Sequence, residues 1–354
     1  MVAREGVVSI SVRLLKMMGV VVTTLLVLLP LAGPVAAQST EAKSIPDFST
    51  GWVLRSAEVA GAFEGGQLAG TPGLGYVVFG LDGEAHFSRT GEMWEPVSLP
   101  PGVQEVEHVV DIAASPRGFV AIANTETPDN SVFVAFSPDG RAWEQVDTAE
   151  LARPLTERGG VFEVVAGPDG FVIIGVEECV VFAWFSPDGR NWTSTNLPQE
   201  CGSLLIAPAD DRWVAASLPT GGVEVSVLSS KDGLNWIDSE ATAPPPMNAL
   251  SRDSMASMGD TLVLAADQFP RSMPALWTSI DGGLTWVEAP VEVEVEERLS
   301  DLASFPMVVN DLGFVGSFHR EIIGKTIEPG AIVYSPDGTT WFAQSADAIF
   351  FHGG

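Results

Sequence analysis

The sequence predicts an all-β fold: six similar units, each a four-stranded antiparallel sheet, arranged radially as a six-bladed β-propeller. Three observations lead there. A phrase recurs, as "FSPDGRAW" (136–143), "FSPDGRNW" (185–192), "SSKDGLNW" (229–236), "TSIDGGLTW" (278–286) and "YSPDGTTW" (334–341). A sixth copy, "FSRTGEMW" (87–94), has Thr90 where the others have Asp. The tryptophans of the phrase are Trp94, Trp143, Trp192, Trp236, Trp286 and Trp341, spaced by 49, 49, 44, 50 and 55 residues. A period near 50 signals repeat architecture. Finally, 36 Gly and 25 Pro suit short strands joined by tight turns, and no long stretch past residue 40 shows apolar residues at helical spacing.

Each unit has four strand-like pieces. The first is a segment such as "VVDIAASP" (109–116) or "FEVVAGP" (162–168). A nearly continuous apolar run follows: "GYVVFG" (75–80), "GFVAIA" (118–123), "GFVIIG" (170–175), "RWVAAS" (212–217), "DTLVLAA" (260–266) and "GFVGSF" (313–318). Such runs fit strands buried on both faces. The third piece leads into the phrase, and a short polar-alternating piece such as "WEQVD" (143–147) follows the Trp. Sheets stacked around an axis bury both faces of every sheet, which one isolated sheet cannot do.

The phrase itself reads as a chain reversal between the third and fourth strands. Pro sets φ for the first turn position and Gly supplies the left-handed one. The carboxylates of Asp139, Asp188, Asp232, Asp281 and Asp337 are expected to accept main-chain N–H bonds, helped by the Ser hydroxyl. The Trp is expected to pack between its own sheet and the next. Every residue type has a local structural task, so the phrase is expected to be structural and not catalytic.

S-x-D-x-G-x-T-W is the Asp-box, or BNR repeat, and "SIDGGLTW" (279–286) resembles it in full. The other Asp-containing copies are one residue shorter between Asp and Trp. The chain thus resembles the sialidase-like Asp-box propellers over about residues 67–345. That resemblance implies the fold and leaves activity open, because the family includes sialidases, other glycosidases, sorting receptors and assembly factors. It also implies that the Asp-box turns lie on the face away from a ligand.

A sialidase would require a tyrosine nucleophile, three arginines on the substrate carboxylate and an early Arg-Ile-Pro. Here "SIPDF" (44–48) lacks the arginine, and the two tyrosines, Tyr76 and Tyr334, both fall in strand-like segments. A glycosidase using a carboxylate pair stays open, since two acids on the central face would suffice. His86, His108, His319 and His352 are scattered over different parts of the chain, and no D-x-D-x-D-G pattern occurs, so no metal or cofactor is expected.

Acids outnumber bases 46 to 18, for a net charge of −28. That balance excludes phosphate-led nucleic-acid binding and disfavours anionic membrane surfaces. Five arginines are the candidate ligand contacts. Arg158, Arg252 and Arg298 lie just before first strands, and Arg271 and Arg320 lie in loops between second and third strands. Together they would form a positive spot for an anionic ligand. The alternative is local pairing with Glu157, Asp253, Glu297 and Glu321. "VEVEVEE" (291–297) alternates strictly, as an exposed edge strand with a charged face would.

Residues 1–37 read as a signal peptide. Arg4, Arg13 and Lys16 precede an apolar run that ends with Val35 and Ala37 before Gln38. The mature chain is then expected to be secreted or at the cell envelope, and not integral to the membrane. An uncleaved anchor is the alternative. In an oxidising compartment Cys179 and Cys201, which flank the third copy of the phrase, are expected to form a disulfide. Residues 38–66 and 346–354 fall outside the six units. One of them is expected to close the ring, and a seventh, partial blade stays open. The functional expectation is a monomeric, non-catalytic module that binds a glycan, peptide or protein. The alternative is a sialidase-superfamily glycoside hydrolase.

Overall fold

The structure is a computed structural model that describes residues 67–80, 84–100, 106–125, 132–147, 160–199, 202–239, 244, 246–268, 273–293, 302–303, 307–310, 313–320 and 328–345. Residues 1–37, expected to be a signal peptide, and residues 38–66 and 346–354 lie outside them. The described residues form six sheets.

Blade 1 holds β1 (Gln67–Thr71), β2 (Gly75–Phe79), β3 (Ala85–Ser88) and β4 (Glu95–Val97). Blade 2 holds β5 (Val106–Ser115), β6 (Gly118–Thr125), β7 (Val132–Ser137) and β8 (Glu144–Gln145). Blade 3 holds β9 (Gly160–Gly167), β10 (Gly170–Glu177), β11 (Val180–Ser186) and β12 (Thr193–Asn196). Blade 4 holds β13 (Gly202–Pro208), β14 (Trp213–Pro219), β15 (Ser226–Ser230) and β16 (Ile237–Asp238). Blade 5 holds β17 (Met247–Met258), β18 (Thr261–Gln268), β19 (Met273–Ser279) and β20 (Val287–Glu288). In these five the strands pair antiparallel in chain order.

Blade 6 departs from the four-strand plan. It contains β21 (Val291–Val293), β22 (Leu302–Ala303), β23 (Met307–Asn310), β24 (Gly313–Arg320), β25 (Glu328–Ser335) and β26 (Trp341–Ser345). Its inner strand is split into β22 and β23, both antiparallel to β24. Its outer edge gains β21, which runs parallel to β26. So the first residues of "VEVEVEE" form an edge strand, and they extend the sixth sheet.

The first strands of the blades are innermost and neighbour each other in chain order. Five apolar clusters fill the five junctions between consecutive blades. β10 shows why the second strands are apolar throughout. Phe171 and Ile173 point into the junction with blade 2, and Val172 and Ile174 point into the junction with blade 4. Period-2 alternation is present, but both faces are core.

The repeated phrase also interlocks the blades. Trp286 enters the cluster shared with blade 4, Trp236 that shared with blade 3, and Trp341 that shared with blade 5. Trp143 reaches back to Phe79 of blade 1, ring centroids 5.4 Å apart and edge-on. The turn glycines lie flat on the preceding blade. A Cβ on Gly140 would meet Phe87 at 2.7 Å, and one on Gly189 would meet Phe136 at 2.3 Å. At the first two junctions an arginine completes the lock. Arg141 lies 3.9 Å over the Phe87 ring and pairs with Glu95 at 2.7 Å. Arg190 repeats this over Phe136, 4.1 Å away, with Glu144 as its partner.

Candidate functional site

The Asp-box carboxylates hold their own turns. In blade 2, Asp139 Oδ1 accepts the N–H groups of Arg141 and Ala142, both at 2.9 Å. Ser137 Oγ accepts Gly140 N–H at 2.8 Å, and the Trp143 indole donates to Gly140 O at 3.1 Å. Asp188 and Asp232 do the same and also accept an asparagine side chain, from Asn191 at 2.7 Å and Asn235 at 2.6 Å. Asp281 accepts Leu284 N–H, Thr285 N–H and the Thr285 hydroxyl. Asp337 accepts Thr339 N–H at 3.0 Å and Thr340 N–H at 3.4 Å. In blade 1, Thr90 Oγ1 accepts Glu92 N–H at a long 3.4 Å. Trp94, Trp143 and Trp192 are half-buried, and Trp236, Trp286 and Trp341 are buried.

These bonds lower the carboxyl pKa values of Asp139, Asp188, Asp232 and Asp281. For Asp232 the Asn235 amide N–H contributes most, followed by the Asn235 side chain. For Asp188, burial pushes upward, but the Asn191 and Arg190 amides and the Asn191 side chain outweigh it, leaving a value of about 2. A carboxylate whose pKa is depressed on folding contributes stability above its unfolded value and loses it as pH falls. The urea midpoint is therefore expected to drop between about pH 4, the ordinary carboxylate value, and about pH 2. Asp188→Asn is expected to flatten that drop. An unchanged pH profile in the variant would contradict the assignment.

The Asp-boxes share one end of the propeller with the turns between first and second strands. Gly282 N–H donates to Asp260 O at 2.9 Å, and Arg117 Nη1 reaches Pro168 O at 2.6 Å from one such turn to the next. The described turns between second and third strands, those of blades 3 and 4, lie at the opposite end. There Glu178 and Cys179 form the β10–β11 turn with φ of 43° and 73°. Left-handed geometry at both positions is that of a type I′ hairpin, unusual without glycine.

On the axis lies a cavity of about 90 Å³, lined by inner strands of blades 2 to 6. Asp111 and Glu163 line it together. Both occupy one register position. Three residues before the partners of the second-strand residues Tyr76, Phe119, Phe171, Trp213 and Leu262 stand Gln67, Asp111, Glu163, Leu205 and Ser254 in blades 1 to 5. All five are buried, and four are polar. A β-bulge immediately precedes the two acids, displacing Val110 in β5 and Phe162 in β9. Bulges re-aim side chains and are enriched near functional sites. Asp111 Oδ1 accepts Ile112 N–H and Oδ2 accepts Val164 N–H, each at 2.8 Å. The second bond ties blade 2 to blade 3 beside the axis.

This polar layer was not nominated by the sequence pattern, although its signal is legible in hindsight as an acid inside an apolar inner strand, "VVDIAAS" and "FEVVAG". Two of the nominated arginines are placed differently from expectation. Arg252 lies within β17 and not before it, in the irregular stretch between Leu250 and Met255. Arg320 ends β24 and pairs in register with Glu328, so it belongs to a strand and not a loop. Both strands run further than their apolar cores because neighbouring strands continue the hydrogen-bond ladder. Arg158, Arg271 and Arg298 lie outside the described residues, as does Cys201. Among the described residues no cysteine is free, no group of three potential metal ligands occurs, and no helix is long and apolar enough to cross a membrane.

The sequence matches no family model, and no curated protein matches it. Several solved structures are similar at low identity. YCF48 from Cyanidioschyzon merolae is 15% identical over 76% of this chain and 80% of its own, with a TM-score of 0.43. The Aleuria aurantia lectin with α-methyl-L-fucoside is 11% identical over 80% of this chain and 92% of its own, with a TM-score of 0.45. Trypanosoma rangeli sialidase with the inhibitor DANA is 13% identical over 73% of this chain and 50% of its own, with a TM-score of 0.40. The fold assignment rests on the chain's own sheets and turns: it is a β-propeller of six sheets whose turns carry Asp-boxes.

Proposed function

We propose that this protein is an exported, non-catalytic propeller that binds a glycan or a protein at the cell envelope, through the face opposite its Asp-boxes. The observation that carries this reading is the use made of its carboxylates. The described Asp-box acids accept bonds within their own turns, and Asp111 in the axial cavity has both oxygens on main-chain N–H groups. These acids are engaged in holding the scaffold. A general acid or base needs an oxygen directed at substrate. Tyr334 is a poor nucleophile, since burial and then the Asp337 charge push its hydroxyl pKa up.

On this reading Arg158, Arg252, Arg271, Arg298 and Arg320 supply a cationic spot in an acidic surface and select an anionic ligand. Acidic and neutral glycan arrays test it. Preferential binding to acidic glycans, lost when the five are changed to Gln, is the expected result, and equal binding to both would remove the arginines from the site. The export signal over 1–37 belongs to the same proposal, as does a Cys179–Cys201 disulfide. The register of β11 with β12, continued past Phe182↔Asn196, brings position 179 level with 199, two residues from Cys201. Intact mass before and after reduction is expected to differ by two hydrogens.

One observation favours a second reading: Asp111 and Glu163 line one cavity. In a glycoside hydrolase such a pair would supply acid and base or nucleophile. Chromogenic glycosides decide between the two. Turnover abolished by Glu163→Gln or Asp111→Asn, with folding intact, would establish the hydrolase and remove the non-catalytic reading.

A further inference from the structure

The outer rim changes character halfway round the propeller. At the first two junctions the locking pair is charged: Arg141 with Glu95, then Arg190 with Glu144. The same two positions at the junction of blades 4 and 5 hold Leu284 and Ile237. Leu284 follows the turn glycine Gly283, which packs on Val214 of blade 4, just as Arg141 follows Gly140. Ile237 follows Trp236, just as Glu95 follows Trp94. Both are exposed, Ile237 at 65% and Leu284 at 42%, and Val287, at the Ile237 position of blade 5, is 62% exposed. An ion pair is thus replaced by an aliphatic strip in a protein of net charge −28.

The strip lies along unpaired sheet edges. Among the described residues no further strand pairs with β16 or β20, the outermost strands of blades 4 and 5. Edges are normally blunted by charge or covered. Blade 6 of the same chain shows the covered form. There Phe342 takes the position after the tryptophan, and β21 pairs alongside it through Glu292. Phe342 is 8% exposed. The covering strand, Val-Glu-Val, alternates aliphatic and charged residues.

We propose that the outer edges of blades 4 and 5 take an added strand from a protein partner. Its aliphatic side chains cover Ile237, Leu284 and Val287, and its alternate positions are basic. Strand addition uses main-chain bonds for affinity and alternate side chains for selectivity. Charge complementarity sets the sign: exposed Asp238 follows Ile237 on β16, and exposed Glu288 follows Val287 on β20. A second copy of this acidic chain, or an anionic membrane, would be repelled. This site is on the rim and does not depend on the ligand face proposed above.

The test uses purified mature protein and three short peptides at physiological salt, read by fluorescence anisotropy. One alternates valine and lysine, one alternates serine and lysine, and one is the valine–lysine peptide N-methylated along one edge. The valine–lysine peptide is expected to bind roughly tenfold tighter than either other peptide, since covering even one aliphatic side chain supplies that factor. Combined Ile237→Ser, Leu284→Ser and Val287→Ser is expected to erase the difference, whereas Met93→Ser, an exposed apolar site on blade 1, leaves it intact. All four positions are exposed, so the variants are expected to fold, with unchanged melting as the control. Equal binding of the three peptides, or undiminished preference in the triple variant, would overturn the proposal. So would self-association in sedimentation that the triple variant abolishes, because it would assign the strip to a second copy.

Discussion

Trp341→Ala is expected to lower the unfolding free energy by ~3–5 kcal/mol, the range for removing a fully buried large aromatic side chain. Trp341 is 0% exposed and sits in the cluster between blades 5 and 6. Its ring centroid lies 6.1 Å from that of Phe314, and its indole N–H donates to Gly338 O at 3.0 Å. Truncation opens a cavity and frees an acceptor at the same place. Trp341→Phe is expected to recover part of the loss, because it refills the space without restoring the bond. Trp94→Ala is expected to cost less, since that ring is only half-buried. Urea unfolding followed by circular dichroism gives the comparison. A loss under about 1 kcal/mol for Trp341→Ala would mean that the ring is not an inter-blade anchor.

The second large effect is expected at Asp111. Burying a carboxylate is costly unless its oxygens are satisfied, and removing the acceptor leaves its donors in the interior. Asp111→Ala would orphan Ile112 N–H and Val164 N–H, at ~1–3 kcal/mol each. Relief from burying a charge offsets part of this, and a net loss of ~2 kcal/mol or more is expected. Asp111→Asn keeps one acceptor oxygen and is expected to fall between. Hydrogen exchange at the Val164 amide separates this from a general softening. It is expected to lose protection first, ahead of the other β9 amides, because it alone of the pair spans two blades. Full protection at Val164 in Asp111→Ala would show that another group accepts that bond.

Much of the architecture was legible in the sequence, because it is repeated and local. An Asx-type turn is closed by atoms two to four residues apart, so "SPDGRNW" implies its own hydrogen bonds. The apolar runs on both faces of β6, β10 and β14 imply sheets stacked on each side. The candidate site was much less legible. Asp111 and Glu163 are 52 positions apart, and each looks like one acid among 46. Only their shared register on adjacent inner strands, with a bulge before each, makes them neighbours of one cavity. The nominated arginines were chosen by their place in the chain, and two of them fall inside strands that outrun their apolar segments.

The chain on its own thus determined the unit, its count and the turn chemistry, since these follow from contacts within a few residues and from strand period. Tertiary structure decided what faces the axis, which edges stay open, and where an Arg–Glu lock gives way to Leu284 and Ile237. Those features come from residues about 50 apart brought side by side when sheets stack, and pairing between units leaves no mark in any one of them.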